Sequence, residues 1–81
     1  MEEPKFSIGQ RCYFVNYKIP GFPAEREKEV ERYLGEKCRI LKILPRESWK
    51  AGIPVYLVKP LRYATKFEAS EAELELVHRG N

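Results

Sequence analysis

With 81 residues the chain is long enough for one domain and no more, and a domain of this size buries only somewhat more than about 60% of its unfolded surface, so its core is thin. A hydrophobic share of 43% against 33% charged residues argues against global disorder, and the longest uncharged run, Ala51 to Val58, has eight residues where a membrane-spanning helix needs about 20. The net charge of +3 is modest but uneven: residues 37–66 hold eight basic side chains against Glu47 alone, which describes either a patch or the solvated face of several strands.

Residues 1–5 carry no pattern, and the opening Met-Glu-Glu-Pro lacks the basic flank and apolar run of a signal peptide. The expected compartment is therefore the cytoplasm, where Cys12 and Cys38 stay reduced as two small buried residues. From Ile8 an alternation sets in, with Ile8, Cys12 and Phe14 on one side and Tyr13, Val15 and Tyr17 on the other. A first strand with apolar groups on both faces calls for a cover over the outer one. Lys18 to Pro23, with Pro-Gly inside it, turns the chain.

Pro23 to Leu34 has helix punctuation: proline at the start, Glu25 and Glu27 in the first turn, Arg32 in the last and Gly35 just beyond. Its apolar stripe is Val30, Tyr33 and Leu34, so only the C-terminal half is expected to dock, on the face of Tyr13, Val15 and Tyr17, while the charged run from Glu25 to Glu29 stays in solvent. Lys37 to Leu44 reads as a second strand whose rhythm breaks at Leu41 and is restored by a bulge. Pro45 to Gly52 connects it, through one helical turn, to a third strand over Ile53 to Val58. A fourth strand is expected over Arg62 to Ala69, then the capping-box pattern Ser70-Glu-Ala-Glu73, then a last strand through Leu74, Leu76 and Val77. There is neither an internal repeat nor a linker, so residues 1–81 form a single domain. Five short antiparallel strands with one helical insertion, about residues 23–34 after the first strand, make a mainly β fold and suggest a small barrel.

Several stretches resemble SH3-like barrels. Phe6-x-Ile8-Gly9-x-Arg11-Cys12-x-Phe14 looks like their first strand, Gly35-x-x-Cys38-x-Ile40 the second and Pro54 to Val58 the third. The stretch from Phe67 to Glu75 resembles the closing segment, in which a short turn precedes the final strand. The resemblance implies a five-stranded SH3-like barrel. It does not carry polyproline binding with it, because the acidic, aromatic-rich first loop of signalling SH3 domains is replaced here by a charged helix. Among other proteins of this architecture, KOW-type and ribosomal ones bind RNA and others dock in larger complexes, so the fold alone leaves the function open.

Catalysis is not expected. The chain has no aspartate, and its only histidine, His78, lies near the C-terminus, a poor place to hold a general base for Cys12, Cys38 or a serine. The glutamates cluster on the helix and in Glu68 to Glu75, where solvent keeps them ionised. Two distant cysteines make no metal framework and the isolated glycines no phosphate loop, so neither a metal nor a cofactor is implied.

What remains is binding. Tyr17, Trp49 and Tyr63 fall at strand ends or in loops, interleaved with Arg46, Lys50, Arg62 and Lys66, and these seven residues are the candidate site. Trp49 either anchors a partner or closes the open end of the barrel. The first expectation is a small adaptor module docking on a protein partner, since thin cores often persist under the cover of another chain. The alternative is an RNA- or single-stranded-DNA-binding domain, with aromatics to stack on bases and cations to meet phosphates.

Overall fold

The computed structural model describes residues 3–16 and 22–77. Tyr17 and His78 lie outside the described residues. Five antiparallel strands, β1 (Arg11–Phe14), β2 (Lys37–Ile43), β3 (Val55–Pro60), β4 (Phe67–Ser70) and β5 (Leu74–Leu76), form one sheet in the order β4-β3-β2-β1-β5. Among the described residues no ladder joins β4 to β5, so the sheet is open. One short helix, α1 (Ala24–Val30), runs into a 3-10 turn over Glu31–Tyr33. Among the described residues no helix is long and apolar enough to cross a membrane.

Period-two alternation places the core. Cys12 and Phe14, Cys38 and Ile40, Tyr56 and Val58, with Ala69 and Leu74, all point to one face and are buried. A register shift between Ile40 and Lys42 lets β2 spend one extra residue, which returns Ile43 to the core side after Leu41 breaks the alternation. At the tip of the β2–β3 hairpin, Lys50 and Ile53 exchange both backbone hydrogen bonds around Ala51 and Gly52. Both tip residues have positive φ, 54° and 76°, the two-residue turn whose twist matches that of the flanking strands. The N-terminal segment is pinned from the far side of the core. The Tyr56 hydroxyl accepts from the Phe6 N–H at 3.2 Å and donates to Glu71 at 2.7 Å, and Glu71 also accepts from the Lys5 N–H at 2.8 Å.

Several expectations are corrected here. Ile8 does not join Cys12 and Phe14: it sits in the turn before β1 and is 65% exposed. The helix does not cover Tyr13 and Val15. Instead Val30 and Tyr33 pack on the Phe14 side, where Tyr33 stacks on Phe67 at 5.1 Å and Phe67 meets Phe14 edge-on at 5.0 Å. Leu34, counted in the helix stripe, is exposed because the chain has already turned toward β2. The charged half of the helix is not wholly solvated either. Arg26 is buried, with its guanidinium on both oxygens of Glu73 at 2.7 and 2.8 Å, on the Glu68 carbonyl at 2.6 Å and over the Phe22 ring. Glu73 is likewise no solvated carboxylate; it is fully buried and also accepts from the Ser70 N–H at 2.8 Å, as the capping-box pattern requires. The fourth strand starts late, at Phe67, because Arg62 to Lys66 form a loop. Pro60 extends the third strand and is buried opposite Cys38.

Candidate functional site

Of the seven candidate residues Tyr17 lies outside the described residues, and the other six do not converge. Arg46, Trp49 and Lys50 lie around the tip of the β2–β3 hairpin, whereas Arg62, Tyr63 and Lys66 lie in the β3–β4 loop at the other end of the same two strands. Strands of this length separate the groups by roughly 20 Å. Much of their chemistry is engaged within the fold. The Trp49 indole N–H donates to the Leu44 carbonyl at 2.9 Å, and the Arg46 guanidinium lies 5.1 Å from the indole ring. Tyr63 meets Tyr33 edge-on at 5.0 Å, continuing the aromatic ladder that seats the helix. Lys50 reaches over Phe22, and Arg62, largely exposed, pairs loosely with Glu36 at 3.6 Å. Lys66 borders a shallow hollow of about 300 Å³ with Glu29, Arg32 and Tyr33.

A denser arrangement occupies the outer face of the sheet. Because Cys12, Phe14, Cys38, Ile40, Tyr56 and Val58 point inward, their neighbours point out. On the three central strands these are Arg11 and Tyr13, Lys37, Arg39 and Lys42, the fully buried Val55, and Leu57 and Lys59: five cations and no carboxylate. The register sets three of the cations abreast, Arg11 opposite Arg39 and Arg39 opposite Lys59. Strand spacing puts that row within about 10 Å. Acidic residues appear only on the edge strands, Glu75 opposite Tyr13 and Glu68 opposite Leu57. Arg11, Arg39 and Lys42 are exposed, and among the described residues none of the five forms an ion pair. Lys37 lays its ammonium 5.9 Å from the Tyr13 ring, which keeps that tyrosine half-buried without a covering helix. The outer face expected to be apolar and covered is therefore cationic, exposed at Arg11, Arg39 and Lys42 and half-buried at Tyr13, Lys37, Leu57 and Lys59.

At the β1 end this face runs into a cleft of about 560 Å³. Its lining combines Gly9 and Gln10 with Arg11, Lys37, Arg39, Leu76 and Val77. Gly9, with φ of 90°, makes the turn that brings Gln10 there, donating its N–H to the Ile40 carbonyl at 2.7 Å. The Gln10 amide is oriented: its Oε1 accepts from the Ser7 N–H at 2.8 Å, so its two N–H donors point away from that bond. Nothing in the local sequence, such as an aromatic beside a cation, marks Arg11, Lys37, Arg39, Lys42 and Lys59 as one surface. The outward positions of alternating strands were the available signal, but which of them stand abreast depends on register.

The thiols offer no chemistry at this site. Cys12 and Cys38 are free and face each other across β1 and β2 in the core. Burial pushes Cys12 up to about 11, and burial together with the neighbouring Cys12 and Glu36 pushes Cys38 up to about 12. Comparison with protein-family models, with curated proteins and with solved structures finds no match.

Proposed function

We propose that the chain is a non-catalytic nucleic-acid-binding module of SH3-like barrel architecture that takes its ligand on the outer face of the sheet. The barrel reading is supported by β2, which pairs with both β1 and β3 and bends at its bulge, and by the 3-10 turn over Glu71–Glu73 that leads into the last strand. The non-catalytic reading is supported by the absence of aspartate from the chain and by two thiols that stay protonated at neutral pH.

The observation that carries the ligand assignment is the row Arg11, Arg39, Lys59. Like charges directly opposite one another weaken a sheet, so three abreast without a carboxylate among them is an arrangement the fold does not need and a polyanion does. Fluorescence anisotropy with labelled single-stranded RNA and DNA tests it. Affinity is expected to fall steeply with salt, with a log–log slope of about −2 to −3.5 for three to five neutralised phosphates. No binding at low salt would overturn the proposal.

The protein-docking reading retains an observation of its own. Val15, Leu34 and Leu61 are exposed near one end of the sheet, where the Gly35 N–H meets the Phe14 carbonyl and the Leu61 N–H meets Lys37. A failed nucleic-acid titration would move the assignment there.

A further inference from the structure

We infer that the cleft beside β1 takes the terminal phosphate of a nucleic-acid strand, with Arg11, Lys37 and Arg39 as its counter-charges and the Gln10 amide as a further donor. This rests on the nucleic-acid reading above and adds to it a preference for a phosphorylated end.

The lining of the cleft gathers donors. Arg11 and Arg39 stand directly opposite each other on β1 and β2, and Lys37 lies two residues along β2 from Arg39. Among the described residues none of the three forms an ion pair. The neutral polar side chain in the lining acts in the same sense, because the Gln10 oxygen is held by the Ser7 N–H at 2.8 Å and what remains to offer is its amide N–H groups. Gly9, Leu76 and Val77 complete the lining without a carboxylate, and Glu75, opposite Tyr13 on the edge strand, stands outside it.

Such a lining favours the anion with the most charge and the most acceptors. A phosphodiester within a strand carries one negative charge and exposes two non-bridging oxygens, whereas a terminal phosphate carries about −1.5 to −2 near neutral pH and exposes three. Each guanidinium fork can hold two such oxygens. The cleft, about 560 Å³, has room for the phosphate together with the sugar that bears it. What lies beyond the cleft favours a nucleic acid over a phosphorylated side chain as the bearer. Lys59 stands next to Arg39 on β3, outside the cleft, and meets the phosphates that follow along the strand.

The experiment uses anisotropy at about 100 mM salt with RNA octamers labelled at one end and carrying either a phosphate or a hydroxyl at the other, in both polarities. A terminal phosphate should raise affinity about tenfold, whereas a hydroxyl-ended nonamer, which carries the same number of phosphates, should gain less than about twofold. Arg11→Gln and Lys37→Gln should each remove most of the tenfold gain. Lys59→Gln should weaken phosphorylated and hydroxyl-ended strands alike and keep the gain, with thermal unfolding reporting that each variant is folded. An equal gain from the nonamer, a gain that survives Arg11→Gln and Lys37→Gln, or a phosphoserine peptide or inorganic phosphate bound as tightly as the phosphorylated octamer would each overturn the terminal-phosphate site while leaving salt-dependent binding to the face intact. Absence of salt-dependent binding to every strand would remove the parent reading as well.

Discussion

Cys12 and Cys38 show what burial does to single side chains. Each is fully enclosed, and each thiolate would form where no cation or donor compensates it, so the folded protein holds both protons far more tightly than the unfolded chain does. The sign of the consequence follows. An unfolded thiol ionises near 9.0, whereas the folded ones ionise at about 11 and about 12. Their contribution to stability is therefore complete below pH 9.0 and is lost as pH rises through the folded values. Tyr56, also raised by burial and by its bond to Glu71, acts in the same direction. Urea unfolding should show stability falling above pH 9.0, by at most about 1.4 kcal/mol per pH unit for each thiol. A Cys12→Ala, Cys38→Ala double variant should start less stable and fall less steeply. An unchanged slope in that variant would remove the thiols from the account.

The helix illustrates how an element can be legible while its docking is not. Proline at its start, the two early glutamates and Gly35 beyond its end marked α1 and its 3-10 continuation, and Val30 and Tyr33 were readable as its buried side. The strands were equally readable where small or branched apolar residues alternate with charges, as at Cys38 and Ile40, and even the bulge showed as a broken rhythm. Which sheet face the helix meets was not readable, because Tyr13 and Val15 look apolar in sequence, while in the fold a lysine stem shelters the tyrosine and the valine stands in solvent. Nor could a charged run reveal that Arg26 would be enclosed by a glutamate 47 positions away. That pair fastens the helix to the turn before β5, and it is coupled. Arg26→Ala leaves the Glu73 carboxylate buried without its partner and is expected to cost about 3–5 kcal/mol in urea unfolding. Replacing both residues by apolar ones, Arg26→Met with Glu73→Leu, should cost much less than the single change. A single variant within about 0.5 kcal/mol of the parent chain would mean that solvent reaches the carboxylate in solution.

For the whole molecule, the distribution of charge over the sheet sets stability against binding. The candidate site was illegible for the same reason that the face is informative: Arg11, Arg39 and Lys59 are far apart in sequence, and only the β1–β2 and β2–β3 registers set them side by side. Trp49 and Tyr63 were conspicuous, yet the fold engages the indole N–H of one with Leu44 and the ring of the other with Tyr33. If the row meets no ligand, reversing its middle charge relieves two repulsions and costs no binding. If it serves a polyanion, the same change separates two properties that ordinarily fall together. Arg39→Glu turns two like-charge neighbours, Arg11 and Lys59, into opposite-charge ones, each such cross-strand pair being worth about 0.2–1 kcal/mol. The variant should therefore unfold at a urea concentration equal to or above that of the parent chain, while its affinity for single-stranded RNA at about 50 mM salt drops tenfold or more. A stabilised variant that binds RNA as well as the parent would assign the row to no ligand, and a destabilised one would show that Arg39 is held by contacts other than its two cationic neighbours. Stabilisation with loss of binding is the combination that a functional surface predicts, since the repulsion persists in the free protein and is relieved only when phosphates lie across it.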